Sequence, residues 1–152
     1  MKIFKISISF IAFLMFGLST VVNAQDRTSQ DEVFKVVEEM PRFPGCEEEG
    51  FTKDEKDSCA REKMLTFIYS NIKYPKDARV KGVEGTCVVQ FNIGKIGDIQ
   101  DVKVIRDIGA GCGDEAARVV ELMNGIDSKW IPGKQRGKAV KVQYVLPIKY
   151  RL

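Results

Sequence analysis

The sequence of 152 residues contains no histidine. Without an imidazole, the chain cannot build a Ser-His-Asp triad, a Cys-His pair or a zinc or haem site that uses histidine. Most hydrolytic mechanisms that need a general base near neutral pH are excluded for the same reason. The four cysteines show no C-x-x-C spacing, the usual sign of a metal site. We therefore expect no metal and no other cofactor, and a binding protein rather than an enzyme.

An excess of charge of one sign is also missing. The chain carries 24 Lys and Arg against 21 Asp and Glu, a formal net charge of +3. The basic residues form no cluster, so the sequence does not predict nucleic-acid binding. Hydrophobic residues make up 44% of the chain and charged residues 30%, which is typical of a globular protein. The length fits one domain with a short additional segment.

A long apolar run occurs at the N-terminus. Lys2 and Lys5 precede the apolar residues 6–18, and Val22-Asn23-Ala24 ends the segment with a small residue. This order is typical of a secretory signal peptide, here residues 1–24. The alternative is a retained membrane anchor, because residues 3–22 approach the minimum length of a transmembrane helix.

Export to an oxidising compartment affects how the cysteines are interpreted, since all four lie after residue 24. Four cysteines allow three pairings. We expect a disulfide between Cys46 and Cys59, which are close in sequence, and a second between Cys87 and Cys112. The remaining enzymatic interpretation is a reactive Cys112 just before a predicted helix, but no histidine is available as its base.

Residues 25–58 are predicted to form an N-terminal extension, which is interrupted by prolines and includes a charged loop before residue 58. Apolar spacing predicts a helix over residues 59–72, with Asp57 or Ser58 as its N-cap. Alternating apolar residues predict two strands, 86–93 and 99–106, that form a hairpin.

The glycine-rich loop 109–113 lacks the spacing of a phosphate-binding motif, so it predicts a tight turn, with Asp114 capping the next helix. Trp130 is expected in the core. The last predicted strand, 140–148, contains Pro147 and is therefore expected at a sheet edge. The order of elements predicts an α+β fold over residues 59–152, a small antiparallel three-stranded sheet with helices packed on one face.

Several short motifs follow one another in the second half of the chain. They are Tyr74-Pro75-x-x-Ala78, Gly82 and Gly85, Asp114-Glu115-Ala116, Trp130-x-Pro132-Gly133 and Pro147-Ile148. Together they resemble the C-terminal domain of TonB proteins, in the form common among Bacteroidetes-like sequences, over about residues 59–152. The resemblance implies the order ββαβ preceded by a helix.

TonB C-terminal domains lie in the periplasm and bind the TonB box, a short segment of outer-membrane receptors. The box adds as a strand beside the last strand of the domain, and the contact transmits force. The resemblance therefore implies strand addition along residues 140–148. It also implies a contact at Arg79, where well-known members carry Gln. The side chains expected along this edge are those of Val140, Val142, Tyr144, Leu146 and Ile148.

Two alternatives stay open. A retained N-terminal segment would make the chain an inner-membrane energy transducer that contacts the ExbB–ExbD motor, although no proline-rich spacer is present. The same sheet edge would otherwise join two copies of the chain in a homodimer, which is a structural role rather than a transport role.

Overall fold

The computed structural model describes residues 32–152, so the predicted signal peptide lies outside the described residues. The described residues all belong to one compact unit. In chain order the elements are β1 (Val33–Phe34), α1 (Lys53–Asn71), α2 (Lys76–Val80), β2 (Gly85–Ile93), β3 (Ile99–Arg106), α3 (Cys112–Leu122), β4 (Gly133–Gln135) and β5 (Lys138–Tyr150). A 3₁₀ turn, Met123–Gly125, follows α3.

Helix α1 begins six residues earlier than its apolar spacing predicts. Thr52 is the N-cap, and its side-chain oxygen accepts from the backbone N–H of Glu55 at 3.3 Å. The carboxylate of Glu55 in turn accepts from the backbone N–H of Thr52 at 2.8 Å. This capping box satisfies two backbone donors at once. The prediction that Asp57 or Ser58 caps the helix was wrong, because the polar Thr-x-x-Glu motif lies upstream of the apolar face.

Helix α3 also begins earlier than expected, at Cys112. Its N-cap is Gly111, whose φ of +83° lies in the left-handed region that favours glycine. Asp114 lies within the first turn and is not the cap, which corrects the prediction from sequence. Its negative charge there still matches the positive end of the helix dipole.

The long strands form the predicted antiparallel sheet. β2 pairs with β3 as a hairpin and with β5 in a register that runs from Gly85–Tyr150 to Ile93–Val142. The α+β fold with helices packed on the sheet is confirmed. The predicted count of three strands was too low, because β1 pairs in parallel with β5 and β4 pairs with the start of β5.

The core lies between the sheet and the helices. Alternate residues of β2 and β5 are buried there, as expected from their period of two. Helix α1 contributes every fourth residue, namely Ala60, Met64 and Ile68. Trp130 is only 2% exposed, as predicted. Its ring contacts those of Phe43, Phe91 and Tyr144 edge to face, with centroids 5.5–6.0 Å apart.

The turn between β2 and β3 is held against the backbone of Trp130. The Trp130 N–H donates to the carbonyl of Gly97 at 3.2 Å. A Cβ at Gly97 would lie 2.0 Å from the Trp130 carbonyl oxygen, and the φ of Gly97 is +78°. Only glycine fits this turn, which fixes the end of the hairpin against the aromatic cluster.

The described part of the extension packs on the domain rather than extending away from it. Backbone bridges join Glu39 to Lys134 and Arg42 to Ile131. A disulfide joins Cys46 to Cys59 of α1, the pair that their closeness in sequence favours. The guanidinium of Arg42 also binds the carboxylates of Glu47 and Asp57 at 3.1 and 3.6 Å. The extension therefore forms one wall beside the start of β5.

Candidate functional site

One edge of β5 has no strand partner over most of its length in residues 32–152. The sheet order β1-β5-β2-β3 places β1 and β2 on opposite edges of β5. β2 pairs with residues 142–150, whereas β1 pairs only with Lys141 and Val142 on the other edge. We call the stretch that remains, residues 143–150 on the side away from β2, the open edge.

The hydrogen bonds of the strand show which backbone groups face the open edge. The N–H of Lys149 donates to the hydroxyl of Tyr69 on α1 at 3.4 Å, so it points away from β2. Backbone groups of successive strand residues point to alternate edges. Gln143, Val145 and Pro147 therefore share the direction of Lys149. The parallel pairing of Phe34 with Val142 uses the N–H of Gln143 as a donor to β1. Since Pro147 has no N–H, the donor left free on the open edge is that of Val145.

The start of the predicted edge already has strand partners. Val140 pairs with Gly133 of the adjacent strand β4, and Val142 pairs with Phe34 of β1. Alternation along β5 could not show the pairing with β1, because that strand lies at the opposite end of the described residues.

Three of the five side chains expected along this edge lie in the core instead. Val142, Leu146 and Ile148 are at most 3% exposed and pack in the core. By the alternation of backbone groups, they also direct their N–H and C=O groups toward β2. Tyr144 is half-buried and is the one predicted strand residue whose side chain reaches a surface cavity. The odd-numbered residues of β5, rather than the even-numbered ones, face the open edge.

A cavity of about 590 Å³ lies at the start of the open edge. The extension, α1 and β5 each form one side of it. We call it the extension cavity. Burial raises the pKa of the Tyr144 phenol there, while the nearby positive charge of Arg61 acts in the opposite direction. The residues that line the extension cavity are Lys35, Met40, Pro41, Arg42, Phe43, Asp57, Ala60, Arg61, Met64, Gln143, Tyr144 and Val145.

A second cavity, of about 610 Å³, lies at the other end of the open edge and contains the predicted Arg79. We call it the cationic cavity because Arg79, Lys149 and Arg151 line it together with no carboxylate. The guanidinium carbon of Arg79 lies 5.9 Å from the centroid of the Tyr74 ring, within the range of a cation–π contact. The other lining residues are Tyr69, Ile72 and Tyr150.

The outer face of α1 connects the two cavities. A shallower cavity of about 550 Å³ on this face shares Arg61 with the extension cavity and Tyr69 with the cationic cavity. Leu65 and Tyr69, one helical turn apart, are 36% and 50% exposed. The i, i+4 spacing of this pair in the sequence places both side chains on one side of the helix, but neither residue was predicted at the site. The three cavities therefore lie next to one another along α1, and we call them together the groove.

Cys87 and Cys112 do not form the predicted disulfide. Both are fully buried free thiols. Burial raises the pKa of each thiol, and the negative charge of Asp107 raises both further. The Sγ of Cys87 lies 3.6 Å from a carboxylate oxygen of Asp107, to which it donates. A buried, protonated thiol at Cys112 is a poor nucleophile, so the structure does not support a catalytic cysteine.

We expect neither Cys87 nor Cys112 to react with Ellman's reagent in the folded protein at pH 8, because burial protects both and keeps them protonated. Two thiols per chain should react after denaturation without a reductant. Counting released thiolate in native and denaturing buffer measures both values. A count of zero after denaturation would show that these cysteines pair after all, and rapid reaction of one native thiol would restore the catalytic interpretation.

Comparison with known proteins points to one family. The sequence model described as Gram-negative bacterial TonB protein C-terminal matches residues 70–152, more than half of the chain. Protein TonB from two strains of Helicobacter pylori is 41% identical over 44 residues, 29% of this chain. The match covers 16% and 15% of those proteins, so the chain spans about one sixth of the curated relatives.

Two NMR structures of the Helicobacter pylori TonB C-terminal domain are also similar to the chain. Their TM-scores are 0.47 and 0.48, and their sequence identities are 26% and 24%. The alignments cover 60% and 68% of this chain, and 91% and 86% of the solved chains.

Proposed function

The chain belongs to the family of C-terminal domains of Gram-negative TonB proteins, and we propose that it binds an extended segment of another protein by strand addition to the open edge. The family consists of binding and transducing proteins rather than enzymes. The partner in this proposal is an outer-membrane receptor, and the bound segment is its TonB box. One observation carries the proposal, namely that residues 143–150 of β5 have no strand partner on the edge away from β2 within residues 32–152.

Unpaired backbone groups at a sheet edge favour the addition of another strand. The N–H of Val145 and the carbonyls of the odd-numbered residues are available for this ladder. Each backbone hydrogen bond contributes about 1 kcal/mol net, so a few of them give only weak affinity without side-chain contacts. The groove along α1 supports such contacts, because it runs beside the open edge and has a cavity at each end.

We further propose that the protein acts in the periplasm. No helix within residues 32–152 is long and apolar enough to cross a membrane. If residues 1–24 are removed, the protein is a free periplasmic module; if they are retained, it is anchored in the inner membrane and contacts ExbB–ExbD. Sequencing the N-terminus of protein purified from the producing cells distinguishes the two, since cleavage leaves Gln25 first.

Titration of the isotope-labelled protein, in the N-terminal form that the cells produce, with a TonB-box peptide tests the docking proposal. We expect the largest amide shift at Val145, smaller shifts at Gln143 and Lys149, and the smallest in β3 on the far edge of the sheet. An absence of shifts along the open edge at millimolar peptide would contradict the proposal. Concentration-dependent shifts of the same amides without peptide would instead favour a homodimer formed through this edge.

A further inference from the structure

The end of the open edge near residue 149 offers few backbone donors to a docked strand. Pro147 has no N–H, and the N–H of Lys149 already donates to the hydroxyl of Tyr69. A strand that continues past Val145 therefore finds carbonyl acceptors but no free donor in β5. Recognition at this end has to come from side chains.

The side chains at this end carry one sign of charge. Arg79, Lys149 and Arg151 line the cationic cavity, and no Asp or Glu lines it. None of the three makes a salt bridge within residues 32–152. Arg79 lies on α2, Lys149 near the end of β5 and Arg151 directly after β5, so the fold rather than the local sequence brings them together. Three unpaired cations in one concave site repel one another and attract an anion.

The other end of the groove differs in charge. The extension cavity also contains cations, but Arg42 there is paired with the carboxylates of Glu47 and Asp57. Asp57 itself lines that cavity. Within residues 32–152, the cations of the cationic cavity make no salt bridge, whereas one cation of the extension cavity is paired. This asymmetry distinguishes the two ends of a bound segment.

We propose that the cationic cavity is a subsite for the carboxylate of an Asp or Glu side chain in the docked segment, and that it sets the direction in which the segment lies. The inference rests on the proposed function and specifies the partner further, as an acidic extended peptide. Arginine side chains suit this role because their planar N–H groups bind a carboxylate in pairs. The contact of Arg79 with the Tyr74 ring holds its guanidinium at the cavity.

Paired peptides test this subsite. Each pair shares one neutral sequence that binds the open edge and differs only by Glu or Gln at one position, which is moved along the peptide. We expect one position near the end at which the Glu peptide binds about five- to tenfold more tightly than its Gln counterpart, as for a charge-assisted hydrogen bond at a partly exposed site. The difference should shrink as salt is added, because the charges are accessible to solvent.

Matched variants localise the effect. The triple variant R79Q/K149Q/R151Q should bind the Glu and Gln peptides equally, whereas R79K should keep most of the preference. Arg106→Gln serves as the control, because it removes one positive charge from exposed β3 on the opposite edge of the sheet. Thermal unfolding of each variant shows whether the fold is intact.

The outcomes separate the two proposals. If no peptide of either kind binds, the proposed docking function fails and the subsite fails with it. If peptides shift the open-edge amides but Glu and Gln peptides bind equally at every position, docking stands and the carboxylate subsite is wrong. Binding of inorganic phosphate at the same three residues, without any preference between peptides, would likewise overturn the subsite.

Discussion

Replacing Val145 by proline should lower the affinity for a TonB-box peptide at least tenfold while leaving the domain folded. The N–H of Val145 points away from β2, so its removal takes a donor from the open edge and none from the core ladder. Loss of one hydrogen bond, worth about 1 kcal/mol, and the bulk of the ring against the docked strand together exceed the roughly 1.4 kcal/mol of a tenfold change. Isothermal titration calorimetry of wild type and V145P measures the loss.

β5 already contains a proline, which indicates that V145P will fold. Pro147 lies two residues after Val145, and its backbone also points away from β2, yet it lies within regular pairing to β2. Edge strands tolerate proline at such positions. Val145→Thr is the control, since it keeps the N–H and the β-branched shape and should bind like wild type. Unchanged affinity of a folded V145P would show that the peptide binds elsewhere.

Replacing Trp130 by alanine should lower the free energy of unfolding by about 3–5 kcal/mol, the range for truncating a buried large aromatic side chain. Trp130 contacts Phe43 of the extension, Phe91 of β2 and Tyr144 of β5. Its removal therefore weakens the attachment of the extension as well as the core. Urea unfolding followed by circular dichroism measures the change, since Trp130 is the sole tryptophan of the chain and its fluorescence is lost in the variant.

Trp130→Phe provides the comparison, because it keeps an aromatic ring in the cluster and should cost clearly less than W130A. A loss below about 1 kcal/mol for W130A would mean that the cavity collapses without cost or that the cluster adds little to stability. Equal losses for both variants would assign the stability to the indole ring specifically.

Local sequence patterns predicted the elements whose bounds depend on neighbouring residues. The strand over residues 99–106 was predicted with its observed bounds, because both its alternation and its flanking turn are encoded in adjacent residues. The last strand is longer than predicted at both ends, Lys138–Tyr150 rather than 140–148. Its polar ends do not alternate clearly, and pairing with β4 and β2 extends them.

The cysteines show the limit of pattern reasoning. Cys46 and Cys59 are 13 residues apart and the chain between them folds back on α1, so their pairing is a local event. Cys87 and Cys112 lie on different elements, and both are buried as free thiols. Disulfide formation requires the two Cβ atoms to approach within about 4.5 Å in a suitable orientation. Sequence does not encode that distance.

The sequence alone determined the order of helices and strands, the family and, through the missing histidine, the exclusion of most catalytic sites. Only the tertiary structure decided which backbone groups remain free. Pairing with β1 starts the open edge at residue 143, and the direction of the Lys149 N–H assigns it to odd-numbered residues. The tertiary structure also brings Arg79 together with Lys149 and Arg151 in one cavity. These features depend on contacts between residues distant in the chain, whereas periodicity reports only on neighbours.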